Sequence, residues 1–379
     1  MKPANDFLRN WCKRLLQTSV LALVLVTLSV GLSAAWWDLG NSQSSRESAL
    51  PQGNAITDPT ALLRYALPID NEPIRRLQQS LEDISQQLRG KRWSPINRDI
   101  KTASLVLTTR HDELLADVPE ENQPQAEALL NDIDQGLIEL RDATEAKDKE
   151  SIWLKRRELL DKVGEIEELM VTDFPYEVPE EYANLPQLKG RATVKMETEK
   201  GDILIVVDGY SAPVTAGNFV DLVQRGFYDG LEFIRAEGFT LQAGDPPGPE
   251  EGFIDPNTGE YRAIPLEVLV RGDSEPVYGV TLEEEGRYLD EPVLPFSAYG
   301  AVAMARPSDD PNGASSQFFF FLFDTELTPP GFNLMDGRYA IFGYVVEGQD
   351  VLEKLTKGDK ILSADVIEGT ENLVEPKVS

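Results

Sequence analysis

Residues 193–198, Thr193-Val194-Lys195-Met196-Glu197-Thr198, and residues 202–207, Asp202-Ile203-Leu204-Ile205-Val206-Val207, flank Lys200-Gly201. Both runs read with a period of two, which sends neighbouring side chains to opposite faces, and a Gly-containing turn between two such runs marks a β-hairpin. Downstream, Ala212 to Gln224, with Pro213 near its start, reads as a helix turning Phe219, Leu222 and Val223 inward. Strand-like runs follow at 231–242, 299–305, 317–323 and 339–346. Strands broken by few helices and by many Gly and Pro turns predict a closed β-barrel capped by helices.

Upstream of the hairpin the period changes. Residues 173–190, with Pro175, Pro179 and Pro186, read as an extended, stiff linker, because proline lacks a backbone donor and restricts its predecessor. Before it, apolar side chains recur at spacings of three and four. Ile74, Leu77, Leu81, Ile84 and Leu88 form one stripe, and Ile100, Ala103, Leu107 and Leu114 a second. Ala126, Leu130, Ile133, Leu137 and Leu140 form a third, and Ile152, Leu159, Val163, Ile166 and Met170 a fourth, close to a heptad. Gly90, the Pro95 region, Pro119 with Pro124, and Asp148-Lys149 separate them. The stripes predict an antiparallel four-helix bundle over 59–172, whose heptad-like helix is either bundle core or a partner-binding zipper.

Residues 36–58, rich in Ser, Asn and Gln, read as a flexible spacer. Ahead of them Lys2, Arg9, Lys13 and Arg14 precede the apolar run Leu15 to Leu32 and then Ser33-Ala34-Ala35. That order is a secretory signal over 1–35, cleaved after Ala35, or an uncleaved membrane anchor. The protein is therefore expected to be exported. Cys12, the only cysteine, lies before the apolar run, so it cannot be a lipoprotein's lipid-bearing cysteine.

With 36 basic and 65 acidic side chains, the chain repels nucleic acid and anionic lipid. Such acidity suits Lys/Arg-rich partners or cations, and equally it keeps an exported protein soluble. One histidine, His111, and one cysteine exclude a Cys/His zinc site, and exclude Ser-His or Cys-His catalysis unless His111 serves. No metal or cofactor is implied.

Six pieces of the second half resemble cyclophilins, in the family's order. They are Thr198-Glu199-Lys200-Gly201-Asp202-Ile203; Ala212-Pro213-Val214-Thr215 with Asn218-Phe219; and Gly226-Phe227-Tyr228-Asp229-Gly230 with Phe233-Ile234-Arg235. Then come Phe239-Thr240-Leu241-Gln242-Ala243-Gly244-Asp245, and Ala303-Met304-Ala305-Arg306 with Asn312-Gly313-Ala314-Ser315-Ser316-Gln317-Phe318-Phe319. The last is Asp336-Gly337-Arg338-Tyr339-Ala340-Ile341-Phe342-Gly343. With its helical prefix and export signal, the chain looks like the multidomain cyclophilins of the thylakoid lumen, the forty-kilodalton type. A periplasmic location is the other possibility for an exported chain.

The resemblance implies a cyclophilin-like domain over 191–379 with peptidyl-prolyl cis-trans isomerase activity on proline-containing segments of exported or membrane-complex proteins. It also implies a link to photosystem II assembly. Arg235 matches the catalytic arginine. Phe239, Phe319 and Met335 match the walls of the proline pocket, with Tyr339 at its rim. Gln242 and Gln317 match residues that hydrogen-bond the arginine and substrate backbone, and Ala305 and Arg306 line the chain beside it. The chain departs from the pattern at Ile234, Thr240, Tyr339 and Leu334, the last standing where cyclosporin-binding members carry tryptophan; the loop from Phe233 to Gln242 is one residue shorter than usual. A rival reading is therefore a weak or inactive binder of proline segments, an assembly scaffold regulated by the helical bundle. Residues 246–295, with 12 acidic and 3 basic side chains, form an insertion that is either a solvated loop or a contact for a basic partner or the helical domain.

Overall fold

The structure is a computed structural model that describes residues 56–256, 258–323 and 333–376. The expected signal over 1–35 and nearly all of the expected spacer lie outside the described residues. Those described fall in one compact unit, and none of their helices is long and apolar enough to cross a membrane.

Among the described residues six helices come first: α1 Pro59–Ala66, α2 Glu72–Arg89, α3 Trp93–Thr109, α4 His111–Leu115, α5 Gln123–Ala146 and α6 Lys149–Leu169. Side-chain caps start three of them, satisfying backbone donors that have no partner inside the helix. Asp58 accepts from the Thr60 amide, Asn71 from Ile74 and Asp148 from Ser151. The expected stripes meet in one core, where Ile74, Leu77, Leu81, Ile133, Leu159, Val163 and Ile166 are fully buried. Among the four long helices, α2 packs against α3 and α6, and α5 against the same two. Two details differ from expectation. Leu114 belongs to the separate short α4, beyond Arg110, and Pro95 sits in the first turn of α3, where a missing N–H costs little.

The proline-rich segment is docked rather than free. Its strand β1 (Gln187–Leu188) pairs with β12 (Leu373–Val374), the Tyr176 hydroxyl donates to the Tyr210 carbonyl at 2.8 Å, and Val178, Tyr182 and Leu185 pack on the sheet's core.

Next come β2 (Arg191–Thr198) and β3 (Gly201–Asp208), which form the expected hairpin, in register from Thr198 opposite Gly201 to Arg191 opposite Asp208. Helix α7 (Pro213–Gln224) follows, then β4 (Arg235–Glu237), β5 (Thr240–Ala243), β8 (Ala301–Met304), β9 (Phe318–Phe321), β10 (Ile341–Glu347) and β11 (Ile361–Glu368). The main sheet is antiparallel throughout, with order β11-β2-β3-β10-β8-β9-β5-β4. It is a curled half-barrel and not the closed barrel expected, because β11 and β4 form no ladder with each other. β4 has three residues before the chain turns at Gly238 (φ 63°), too few to pair along the eight residues of β11. A single bridge, Glu232 to Lys360, links the residues ahead of the two edges. The concave side holds Phe219, Tyr228, Phe318, Phe320 and Phe342, all fully buried.

The acidic insertion is folded. It contains the paired strands β6 (Glu267–Val268) and β7 (Val277–Tyr278), and it buries Leu266, Val268, Val270 and Leu282 with Ala340. Glu267, 1% exposed, accepts from the Val214 and Thr215 amides at 3.1 and 2.9 Å and so caps α7.

Candidate active site

Five neighbouring strands build a row on the convex face of the sheet that carries three of the expected site residues, Arg235, Gln242 and Phe319. In antiparallel pairs, directly opposed residues share a face. The register opposes Arg235 to Gln242, Gln242 to Phe319, Phe319 to Ala303, and Ala303 to Ile341. This row runs from the edge strand β4 to β10, with Arg235 at its open end. Arg235 is exposed, and its guanidinium makes no hydrogen bond or ion pair to a described residue.

Behind it, the Gln242 amide donates to Gln317 Oε1 at 2.7 Å, while Gln317 Nε2 donates to Asp245 at 2.9 Å and to the Glu251 carbonyl at 2.8 Å. Burial, followed by the nearby Glu251 charge, raises the Asp245 carboxyl above its ordinary range. Gly244 makes this contact possible. At φ 94° an added Cβ would lie 2.3 Å from the Ser316 carbonyl oxygen, so a side chain there would push β5 away from the segment carrying Gln317.

The apolar residues divide into two groups. Phe319 is 4% exposed, roofed by Phe296 at 6.1 Å in a stacked arrangement and by Tyr339 edge-on at 5.5 Å. Met335 packs into the same cluster. The Arg306 guanidinium lies 5.3 Å from the Tyr339 ring centre, and its Nε donates to the Arg338 carbonyl. Phe239, in contrast, is 54% exposed and meets Phe323 edge-on at 4.4 Å. Leu334 is the most solvent-exposed of the set, at 77%. Ala305 is half-buried beside the Phe319 cluster, its amide donating to the Gln317 carbonyl.

Sequence reasoning missed two rings here. Phe323 lay within a predicted strand with nothing to single it out. Phe296 follows the insertion, and no local pattern marks it as a cover for Phe319. The motif around Asp336 gives no sign of its structural role. It accepts from the Phe296 and Asn333 amides at 2.8 and 3.0 Å, and burial pushes its carboxyl up to about 6 despite those two donors. It thus ties the loop carrying Leu334 and Met335 to the end of the insertion.

A half-barrel with a helix inside its curl, and a convex row of Arg, Gln and Phe, defines a cyclophilin, and comparison with known proteins agrees. Residues 193–372 match the family described as cyclophilin type peptidyl-prolyl cis-trans isomerase, and residues 58–171 match the CYP38-like, PsbQ-like domain. The chain is 62% identical to a Synechocystis protein described as a thylakoid lumen peptidyl-prolyl cis-trans isomerase, over 96% of each chain. It is 46% identical to the Arabidopsis thaliana chloroplastic isomerase CYP38, over 87% of this chain and 78% of that one. A second chloroplastic isomerase of that plant, CYP37, is 34% identical over 83% of this chain and 70% of its own. The chain belongs to the cyclophilin-type peptidyl-prolyl isomerases. It is a member of their thylakoid-lumen branch, with a PsbQ-like helical domain ahead of the isomerase domain.

Proposed function

We propose that the convex row Arg235–Gln242–Phe319 is where this isomerase turns X-Pro bonds of lumenal polypeptides. A peptide bond rotates over about 18–20 kcal/mol because resonance holds it planar, and X-Pro bonds isomerise unaided in tens to hundreds of seconds. Acceleration requires a surface that binds the twisted amide better than either planar form. Twisting makes the proline nitrogen pyramidal and basic, so a fixed donor aimed at it lowers the barrier. Arg235 supplies that donor from a planar fork, Gln242 and Gln317 hold the substrate backbone, and Ala305 and Arg306 flank the chain. The proline ring is taken by Phe239, Phe319 and Met335, with Tyr339 at the rim and Leu334 as an outer contact.

The observation that carries this reading is the register that aligns Arg235, whose guanidinium has no partner among the described residues, with Gln242 and Phe319. In the same reading, 59–172 acts as a four-helix bundle and 191–379 as the isomerase domain, joined by the segment 173–190. The clients are exported segments that include photosystem II subunits during assembly. The test is Arg235→Ala in the full chain, assayed by exchange spectroscopy on a proline peptide. The expected loss of rate is about 10²–10³-fold, with peptide affinity falling far less, and Arg235→Lys should not rescue it. An alanine variant as fast as its parent would end the assignment.

A further inference from the structure

A second recess lies away from that row, between α1, α6 and the far end of β10. It is a cavity of about 380 Å³ bordered by Arg64, Arg89, Arg156 and Arg157, with Trp153 on one wall. In a chain where acidic side chains outnumber basic ones by 65 to 36, arginines have carboxylates in excess to pair with. These four form few ion pairs, although Asp58 and Asp161 border the same cavity. Among the described residues their ion pairs reduce to Arg64 with Glu82, at 3.4 Å.

Arg156 is the most telling. It is 5% exposed, and its Nε donates to the Leu81 carbonyl at 2.8 Å and its Nη2 to the Glu82 carbonyl at 3.3 Å. Its Nη1 makes no hydrogen bond to a described residue. A buried cation held by carbonyls, with Asp58 and Glu82 nearby but in no ion pair with it, is costly, because their charges repay its desolvation only in part. Burial accordingly pulls its proton affinity down. Its guanidinium sits 5.4 Å from the Trp153 ring centre, and that ring is 43% exposed, a flat apolar wall at the mouth. Arg64, 6% exposed, lines the floor, while Arg89 and Arg157 are exposed at the rim.

We propose that this cavity is a second recognition site, which takes an Asp or Glu side chain of a polypeptide. Guanidinium forks match a carboxylate in two parallel hydrogen bonds, and the missing bond of Arg156 Nη1 is one such bond. Asp58 and Asp161 also border the cavity, so a doubly charged phosphate meets repulsion that a single carboxylate meets only in part. The volume suits one acidic side chain with its flanking backbone, and Trp153 covers the methylenes. β8, β9 and β5 lie between β10 and the strand of Arg235, so a client held here occupies a surface separate from the proline site. A chain long enough to meet both sites would present its prolines at a raised local concentration. The proposal does not depend on the isomerase site, and Arg235→Ala leaves it untouched.

The test titrates the full chain with acetyl-triglutamate amide and with acetyl-triglutamine amide, by calorimetry at low ionic strength. Triglutamate should bind roughly tenfold or more tightly than triglutamine. Arg156→Met should remove that difference. The double variant Arg89→Ala/Arg157→Ala, which alters exposed side chains alone, should weaken triglutamate roughly tenfold with melting temperature and proline isomerisation unchanged. If Arg156→Met fails to fold, the rim variant decides. Equal binding of the two peptides, or undiminished binding by the rim variant, overturns the site. Inorganic phosphate or phosphatidylglycerol vesicles that displace triglutamate and bind more tightly than it overturn the assignment to polypeptide carboxylates.

Discussion

Phe318, Phe319, Phe320 and Phe321 are consecutive in β9, and all are nearly inaccessible to solvent, yet they lie in two different environments. Phe318 and Phe320 point into the curl of the sheet. There Phe318 meets Phe219 and Tyr228 edge-on at 5.2 and 5.3 Å, inside a core made by strands and α7. Phe319 and Phe321 point outward and are covered by Phe296, Tyr339 and Met335, together with Leu62 and Leu63 of α1. Equal burial therefore does not mean equal role. The inner pair is enclosed by regular elements. The outer pair is enclosed by loops and one short helix, which can yield at lower cost.

The largest effect should fall on the inner side. Phe320→Ala should cost about 3–5 kcal/mol of stability, seen as a large drop in melting temperature, because the strands around the deleted ring cannot collapse into the space. Phe319→Ala should cost clearly less in the same melt but lower isomerase activity, because its neighbours are loop side chains and its ring is a wall for proline. If the two substitutions destabilise equally, the contrast between the faces fails.

A smaller effect separates the sheet from its insertion. Burial raises the Glu267 carboxyl from its ordinary range to about 7, overriding the two backbone donors that favour its charge. Between about 4.5 and 7 the folded protein holds a proton that the unfolded chain has released. Stability should therefore be greatest at acid pH and fall as pH rises through that window. Glu267→Gln should flatten this part of the profile by up to about 3 kcal/mol, measured as denaturant midpoints at pH 5 and pH 8. Glu167 leaves a residual slope of the same sign, since burial raises its carboxyl to about 8. A profile unchanged by Glu267→Gln would show that the carboxyl is already ionised at pH 5.

The smallest effect is expected at the rim. Leu334→Ala, at a position 77% exposed, should change stability by less than about 0.5 kcal/mol and isomerisation far less than Arg235→Ala. A loss matching that of Arg235→Ala would move the pocket outward onto Leu334.

Much of this was legible in the residues. The helical stripes and the hairpin around Lys200-Gly201 follow from periodicity, while the resemblance singles out Gln242 and Gln317 without the bond between them. Helix α1 escaped notice, although Asp58 before Pro59 is a start signal, because eight residues are too few to show a period. The open edge of the sheet was also hidden, since strand-like composition over 231–242 does not reveal that Gly238 cuts β4 to three residues. The insertion read as acid and loop because its apolar residues are spaced irregularly and its key carboxylate, Glu267, is internal. The cavity around Arg156 joins residues far apart in the chain, and no local pattern announces such a meeting.

The pairing of β1 with β12 and of β2 with β11 has a consequence for how the protein is made. β1, in a two-stranded ladder of its own, and β2, in the main sheet, find their partners among residues 361–374. The helical core closes mostly among neighbours in sequence and can settle quickly, whereas the sheet must wait until residues 361–368 are present. Arg191, in the first strand of that hairpin, also bonds to the Leu63 carbonyl and pairs with Glu168 at 3.4 Å. The first of the described helices is thus latched to the sheet. A chain cut short before residue 361 would carry a finished helical core beside an unpaired β2 edge, and that exposed edge is the kind of surface that chaperones and proteases engage.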